Sequence, residues 1–515
     1  MSEIGQTAES LSKELFGLCN SNSLSEEGVR EIIDRRGLVS TDCNVSDYRF
    51  FHEACKNENV TEEIIRCLLE CFPEAASDAT ASGWTPLHYA CSNKNVTLGI
   101  IQLLIDAAPD SVRSVGNDGV TPLHCLCDNN KVHEDNAIQI VELLIEKYPE
   151  AARHADRDGD LPIHYASKWR SPEFCRVLIE TYPGSERIMG GGILPLHYAC
   201  TVQNSLATVE YLYKLYPEAI NRATIEVYPI HAAIIGMQQK ENPAAAVEIV
   251  QFLLNCDPDV KLQKYRGRSL LRYSCSLTYT ESNIEFALEM IKAIYDAYPE
   301  AIKRNRIASN IQHYHQRIQT FINGELVYAR QAKDHSLMTT PDDNGRLPLH
   351  AALRSNFRLG SIKLLVKGNP HAVQSPDNSG ALPLHIACEH HDSANNVRYL
   401  IGLDTTSLGA TDREGNTALH YACRGAKYDT IELLLGEYDA VSVSKQNADK
   451  KLPIEILWES KVVEDRGSLK YTESVFQLLR SYPEMVTINN LALEQPIDVD
   501  QMRNVKKRKL DHLDV

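Results

Sequence analysis

The chain has 515 residues, 43% of them apolar, and its 53 lysines and arginines stand against 69 aspartates and glutamates, for a formal net charge of −16. A balance this acidic argues against a broad nucleic-acid or anionic-membrane surface and leaves basic protein partners open. No stretch approaches the roughly 20 apolar residues that cross a bilayer, and residues 1–6 lack the basic and apolar regions of a signal peptide. We therefore expect protein partners, with neither nucleic acid nor membrane.

The N-terminal segment, residues 1–47, is polar but has leucines at helical spacing, Leu11, Leu15 and Leu18, followed by Val29 and Ile33. Apolar residues three or four positions apart indicate amphipathic helices. The segment is therefore predicted to be a helical cap over the part of the chain that follows. A partner-binding helix is the less favoured alternative.

From residue 85 onward a short phrase recurs, first as TPLHYAC and TPLHCLC. Its histidine returns every 33 to 40 residues from His88 to His231, and every 35 residues from His350 to His420. The proline suits the first turn of a helix, where its missing N–H is not needed. A second apolar run with helical spacing follows each phrase and ends before a proline, often as Tyr-Pro. Each unit is thus predicted to be a turn, a helix, a connection and a second helix.

This pattern resembles the ankyrin repeat, in which a turn precedes T-P-L-H-x-A and two antiparallel helices. The resemblance covers roughly residues 48–490 and implies an all-α helix-pair solenoid with short turn or hairpin fingers and about eleven repeats. Repeats 1–7 would occupy 48–302, with the first and seventh degenerate. Repeats 8–11 would occupy 344–490, with the last degenerate.

The chain departs from the family pattern in two ways. The helix-capping threonine is replaced by leucine in five repeats, at the cost of a cap worth about 1 kcal/mol that burial of the leucine could offset. The glycine that usually follows the second helix gives way to a Tyr-Pro-Glu-Ala type ending, which predicts a sharp stop with a short extra turn. The five replacements are Leu161, Leu194, Leu347, Leu382 and Leu452.

Histidine and cysteine are abundant, but mostly at fixed positions of the repeat. A catalyst needs one activated group beside its partners, whereas the phrase histidine recurs nine times along the chain. A free cysteine behaves as a small buried apolar residue, and seven cysteines share one position of the repeat. We therefore predict a structural use for both, with no catalytic, metal or cofactor site. The seven cysteines are Cys55, Cys91, Cys127, Cys200, Cys275, Cys388 and Cys423.

Residues 303–343 interrupt the period, and 491–515 form a polar tail. In the interruption, Asn323-Gly324 lies between β-prone runs, which predicts an elongated hairpin finger, with a pair of short helices as the alternative. Its basic residues would suit an acidic partner surface, and a solvated insertion without function is the competing interpretation. In the tail, Lys506, Lys507, Arg508 and Lys509 form a cluster that is either a nuclear import signal or a chance run.

The resemblance implies that partners contact the turn tips and the exposed end of each first helix on a concave surface. The predicted function is a non-catalytic scaffold or adaptor in the cytoplasm or nucleus. A chaperone-like holder of a basic client is the first alternative, and an enzyme of unrecognised type is the minor one. The residues that this places at the surface are Trp84, Ser92, Asn93, Asn117, Val120, Asp128, Asn129, Arg157, Asp160, Trp169, Ile193, Arg346, Arg354, Arg413 and Asn416.

Overall fold

The computed structural model divides the chain into two compact units, residues 1–323 and 324–515. The residues that it describes are 3–35, 48–201, 205–224, 227–238, 242–257, 259–304, 312–331, 334–391, 394–436, 443–460 and 468–481. Each unit is built from helix pairs, and the only paired strands among the described residues are a single two-residue hairpin. The predicted all-α helix-pair solenoid is confirmed.

In the first unit, the first helices of successive pairs pack against one another in one layer, and the second helices form another. The first helices are Glu3–Cys19, Arg49–Lys56, Pro86–Cys91, Pro122–Asp128, Pro162–Trp169, Pro195–Thr201, Pro229–Gly236 and Leu270–Cys275. The second helices are Glu26–Arg35, Glu62–Cys71, Leu98–Ala107, Glu134–Lys147, Pro172–Thr181, Leu206–Leu215, Pro243–Cys256 and Ile284–Ala297. The N-terminal segment thus supplies a helix pair of its own, which packs on the pair that follows.

The second unit repeats this two-layer arrangement. Its first helices are Pro348–Arg354, Pro383–His390, Ala418–Arg424 and Pro453–Glu459. Its second helices are Leu359–Gly368, Ala394–Leu403, Tyr428–Gly436 and Leu469–Ser481. The core of this unit is apolar and continuous across the repeats, from Met338 to Leu478.

The short extra turn expected after the second helix is present as a 3₁₀-helix. Proline begins most of these turns because its fixed φ suits a first helical position. In the first unit, three of these turns end in an arginine that lies over the tyrosine ring of the next Tyr-Pro ending. The distances from the arginine Cζ to the ring centroid are 5.4 Å for Arg113 and Tyr148, 5.0 Å for Arg153 and Tyr182, and 4.8 Å for Arg187 and Tyr216. The 3₁₀-helices are Pro73–Ser77, Pro109–Arg113, Pro149–Arg153, Ser185–Arg187, Pro217–Asn221, Val260–Leu262, Pro370–Gln374 and Thr405–Leu408.

The turns between repeats are tight fingers that carry almost no strand. One finger contains the hairpin Lys264–Tyr265 and Arg268–Ser269, which pairs antiparallel with Lys264 opposite Ser269. Isolated bridges join Gly190 to Ile193 and Thr224 to Val227 in two other fingers.

The predicted hairpin in the 303–343 interruption is wrong. A short helix, Ala301–Arg304, ends at the start of the interruption. The described residues after it form the helices Gln316–Gln331 and His335–Thr339. Asn323-Gly324 therefore lies inside a helix, and the alternative of a helix pair describes this segment. The physical reason is that Ile318 and Ile322 are buried and lie four residues apart, which places both on one face of a helix.

The buried cysteines confirm the packing role that was predicted for them. All seven repeat-position thiols are at most 2% exposed, and all the described cysteines are free. Burial raises the pKa of Cys125 and of Cys275 to about 12 in each case. Such thiols are poor nucleophiles because the reactive form is the thiolate.

Candidate protein-binding surface

Neighbouring fingers are joined through their backbones. In the first unit, Asn117 N donates to Ser82 O (2.7 Å), Arg157 N to Asp118 O (3.0 Å) and Gly191 N to Asp158 O (2.8 Å). In the second unit, Asn378 N, Arg413 N and Ala448 N make the same kind of bond to the preceding finger, at 2.9, 3.0 and 2.7 Å. At these six steps the finger tips are therefore held in register by a backbone hydrogen bond.

This close approach predicts that glycine is required at the finger tips. Gly119 has a φ of +84°, and an added Cβ would lie 2.8 Å from the Arg157 backbone nitrogen. We expect Gly119→Ala to lower the free energy of unfolding by about 2–3 kcal/mol, measured by urea denaturation. Gly184→Ala is the matched control: its φ is +91° but no atom lies within 4 Å of the added Cβ, so only about 1 kcal/mol of backbone strain applies. Equal losses for the two variants would contradict the register argument.

The phrase histidines join most first helices to the next finger; the exceptions are His231 and His350, whose Nε2 atoms are buried without a partner. His88 accepts from Thr85 N on Nδ1 (3.1 Å), and its Nε2 lies 3.2 Å from Val120 O. His124 and His385 repeat both contacts, with Asp160 O and Ala410 O as the carbonyls of the next finger. Because Nδ1 accepts, the ring is neutral and carries its proton on Nε2. The predicted structural use of these histidines is confirmed at these positions.

The histidine also explains why leucine can replace the capping threonine. Leu161 N donates to His164 Nδ1 at 2.9 Å, and Leu382 N donates to His385 Nδ1 at 3.0 Å. At these two positions, and at Leu347, the imidazole therefore satisfies the backbone N–H at the start of the helix as it does after threonine. At Leu452 the carboxylate of Glu455 accepts this bond instead, and His197 Nδ1, after Leu194, has no partner. The side chains of Leu161 and Leu382 are free to enter the core; Leu161 is buried.

A ladder of side-chain amides connects the ends of the first helices in the first unit. Asn57 Nδ2 donates to Cys19 O and Ser21 O, Asn93 to Cys55 O and Asn57 O, and Asn129 to Cys91 O and Asn93 O, all at 2.7–3.0 Å. The next repeat has Arg170 in this role. Its Nη2 donates to Leu126 O and Asn129 O, and its Nη1 donates to Glu134 Oε2 at 3.0 Å. We call the three asparagines and Arg170 the inter-repeat ladder.

We define the finger face as the finger tips together with the outward side chains of the first helices in residues 80–93, 116–129, 156–170 and 190–201. Trp84 is half-buried on this face: its ring stacks on His88 (centroids 5.4 Å apart) and meets Tyr89 edge-on. Trp169, also half-buried, donates from Nε1 to Asp128 Oδ1 at 3.2 Å. Both rings therefore rest on neighbouring finger-face residues and keep one side toward solvent.

The predicted surface residues fall into exposed and buried groups. Besides the two tryptophans, six are exposed or half-buried on the first unit's finger face: Ser92, Asn117, Val120, Asp128, Arg157 and Ile193. Arg354 and Arg413 are exposed in the second unit, and Arg346 is half-buried, 3.5 Å from Asp377. Four are buried, namely Asn93, Asn129, Asp160 and Asn416.

The buried members were placed on the surface because their repeat position is usually accessible. Asn93 and Asn129 belong to the inter-repeat ladder, and Asn416 donates to Asp412 Oδ2 at 3.0 Å. Their side chains are used inside the stack, so we leave them out of the binding surface. Asp160 is different, because it accepts from Tyr198 OH at 3.0 Å while its Oδ1 has no partner. The basic cluster at residues 506–509 lies outside the described residues.

The tyrosines of the finger face were not among the residues predicted from the sequence. Tyr165 donates to Asp156 Oδ2 at 2.6 Å, and Tyr198 donates to Asp160 Oδ2. Lys168 Nζ lies between the two rings, 4.5 Å and 4.6 Å from their centroids. Tyrosine follows the phrase histidine in the sequence at both positions, and this placement on the outward side of the first helix was the available signal.

No group of three or more His, Cys, Asp or Glu side chains among the described residues is arranged to hold a metal ion. Among the same residues, every helix is too short or too polar to cross a bilayer.

Comparison with known proteins gives a consistent assignment. The family model described as ankyrin repeats (3 copies) matches residues 19–108, 51–151, 96–188, 134–224, 306–408 and 349–447, which together make up more than half of the chain. No curated protein matches. The crystal structure of the human ASB11 ankyrin repeat domain matches 50% of this chain and 98% of that one, with 15% identity and a TM-score of 0.32. Ankyrin repeats generally mediate protein–protein interaction and are typically non-catalytic. On the matched residues and the helix pairs that they form, the chain belongs to the ankyrin repeat family.

Proposed function

We propose that this protein is a non-catalytic scaffold or adaptor that binds a partner protein on the finger face of the first unit. The observation that carries the proposal is a row of half-buried aromatic side chains on that face: Trp84, Tyr89, Tyr165, Trp169 and Tyr198. Aromatic residues are enriched among interface anchors because they bury a large area at low entropic cost. The backbone bonds between fingers support the proposal, since they hold these anchors in a fixed geometry.

The charge of the finger face favours a basic partner. Exposed carboxylates of Asp118, Asp128 and Asp158 lie among the aromatic residues, and the whole chain carries a net charge of −16. This charge also motivates the second candidate, a chaperone-like holder of one basic client. We further propose an intracellular location, because free buried thiols are usual in reducing compartments.

Salt dependence separates the two candidates. An electrostatically steered acidic–basic complex should lose affinity steeply between 50 mM and 500 mM NaCl, because ions screen exposed charges. An adaptor that relies on its aromatic anchors should change by only a few-fold over the same range.

The direct test removes the anchors. Proteins co-purified with the tagged full chain are identified, and their affinity for the purified chain is measured. We expect the double variant Trp84→Ala/Trp169→Ala to weaken binding by roughly 30-fold or more, the loss typical of hot-spot residues. The matched control is Tyr213→Ala/Phe252→Ala, which removes two half-buried aromatic rings in contact with each other on the second-helix layer. An equal loss of affinity in the control variant would show that binding does not depend specifically on the finger face.

A further inference from the structure

The strongest unexplained feature of the finger face is the position of Lys168. Its ammonium lies over two tyrosine rings at once, 4.5 Å from the centroid of Tyr165 and 4.6 Å from that of Tyr198. It forms no ion pair with any carboxylate of the described residues. A cation between two aromatic faces is attracted by both ring quadrupoles. The gap between Tyr165 and Tyr198 is therefore already shaped for an alkylammonium group.

The walls of this gap are fixed by carboxylates. Tyr165 donates to Asp156 Oδ2 at 2.6 Å, and Asp156 Oδ1 in turn accepts from the backbone nitrogens of Asp158 and Asp160, at 2.9 Å and 2.8 Å. Tyr198 donates to Asp160 Oδ2 at 3.0 Å. Each ring is thus anchored through its hydroxyl to a finger, so the spacing between the rings does not depend on Lys168.

The charge on Asp160 is incompletely compensated. The residue is 7% exposed, its Oδ2 accepts one hydrogen bond, and its Oδ1 is buried without a partner. A buried carboxylate that lacks partners is costly, so Asp160 favours occupation of the gap by a cation. Asp158 on the same finger is exposed, and it adds to the negative potential at the mouth of the gap.

The second unit has an equivalent cation over a tyrosine ring, and that cation is paired with a carboxylate of the same unit. Tyr421 donates to Asp412 Oδ2 at 2.8 Å, as Tyr165 does to Asp156. The cation over that ring, Arg424, lies 4.1 Å from the centroid and donates to both carboxylate oxygens of Glu389, at 2.8 Å and 3.0 Å. Arg424 is thereby tied to its own repeat stack, whereas Lys168 is held by ring faces alone and can be displaced.

We propose that the gap between Tyr165 and Tyr198 is a recognition site for a lysine side chain of a partner protein, and that Lys168 occupies this site in the free protein. The inference rests on the proposed function and specifies its chemistry. On binding, the partner's ammonium takes the place between the rings, and Lys168 moves into solvent. The site thus selects a partner that presents a lysine next to the acidic finger. Because Lys168 competes for the same gap, it lowers the affinity for every such partner.

The test uses a capped five-residue peptide with one central lysine, and the same peptide with norleucine in its place. Binding to the full chain is followed by the upfield NMR shift of the lysine ε-methylene protons, which ring faces cause directly. Lys168→Gln should bind the lysine peptide roughly three- to tenfold more tightly than the unmodified chain, the range expected for releasing a cation–π site. The norleucine peptide should show no shift with either protein.

Two controls isolate the rings from the charge. Lys131→Gln removes the same charge from an exposed position of the neighbouring repeat and should leave the affinity unchanged. On the Lys168→Gln background, Tyr198→Leu should abolish the shift, while Tyr198→Phe, which keeps the ring, should retain it. Circular dichroism establishes that each variant is folded.

The proposal is overturned by any of three results: Lys168→Gln does not bind the lysine peptide more tightly, Lys131→Gln gives the same gain, or the shift survives loss of the Tyr198 ring. The proposed function fails separately. If the tryptophan variant loses a partner whose affinity is unchanged by Lys168→Gln and by Tyr198→Leu, and the peptide arm is negative, only the lysine site is wrong. If no partner depends on the finger face, the proposed function is wrong whatever the peptide does.

Discussion

Arg170→Ala is expected to lower the free energy of unfolding of the first unit by about 3–5 kcal/mol, the loss found when one member of a buried ion pair is removed. Arg170 is 1% exposed, and its guanidinium donates to two backbone carbonyls of the preceding repeat and to Glu134. It also lies 5.0 Å from the Phe174 ring centroid. Removal takes a donor from both carbonyls and from one carboxylate oxygen; Leu126 O then keeps only the Asn129 backbone N–H, at 3.3 Å.

The loss should reach across three repeats. Glu134 Oε1 also accepts from Ser171 N at 2.9 Å, and Thr208 Oγ1 donates to Arg170 O at 2.9 Å. The measurement is urea denaturation followed by far-UV circular dichroism. Arg157→Ala serves as the control, because its side chain is exposed at a finger tip, and the expected change is within about 0.5 kcal/mol. A loss for Arg170→Ala as small as that of the control would show that the ladder does not hold these repeats together.

The second large effect is a loss of stability in mild acid. Burial lowers the pKa of His88, His124, His197, His231 and His385 to about 4, against an ordinary value of 6.5. The folded state therefore keeps these rings neutral, while the unfolded chain binds protons as the pH falls below 6.5. Between these values each histidine costs up to about 1.4 kcal/mol of stability per pH unit.

We expect the free energy of unfolding to fall by more than about 3 kcal/mol between pH 7 and pH 5. The carboxylates act in a different window: hydrogen bonds lower the pKa of Asp377 and Asp412, so their contribution is lost only as the pH falls below the ordinary carboxyl range. His124→Asn should be less stable at pH 7 but have a shallower pH slope, because one titrating group is gone. His133→Ala, at an exposed position, should leave the slope unchanged. A flat profile from pH 7 to pH 5 would contradict neutral, buried histidines.

The repeat architecture could be predicted because the same residue types recur at the same positions of successive repeats. In most copies the proline, histidine and cysteine of the phrase serve the same purposes, as a helix start, a link to the next finger and a small core residue. Each copy therefore supports the interpretation of the others. The replacement of threonine by leucine did not disturb this at Leu161, Leu347 and Leu382, since the histidine ring accepts from the backbone N–H there as it does after threonine.

The inter-repeat ladder was harder to predict, although part of it was in the sequence. Asn57, Asn93 and Asn129 are spaced 36 residues apart, in step with the histidines. Asn93 and Asn129 were placed on the surface because the polar end of a first helix is usually solvated. Arg170 breaks the pattern in residue type, and only the three-dimensional arrangement shows that it reaches the carbonyls that an asparagine would.

The helix over residues 316–331 illustrates a conflict between local and longer-range signals. Asn-Gly favours a two-residue hairpin turn, and β-prone residues flank it. The apolar spacing of Ile318 and Ile322, however, places both side chains on one buried face, and Phe321 contacts Tyr295 with ring centroids 5.6 Å apart. Tertiary burial therefore outweighed the turn propensity of two residues. The Lys168 site could not be predicted either, because it depends on rings from two successive repeats.

Hydrogen–deuterium exchange of the full chain, with and without a co-purified partner, tests the central claim most directly. The finger face should be the binding surface, so protection on binding should concentrate in residues 80–93, 116–129, 156–170 and 190–201. The second helices Leu98–Ala107, Glu134–Lys147 and Pro172–Thr181 should exchange as in the free protein. Protection confined to those second helices, with unchanged fingers, would contradict the account.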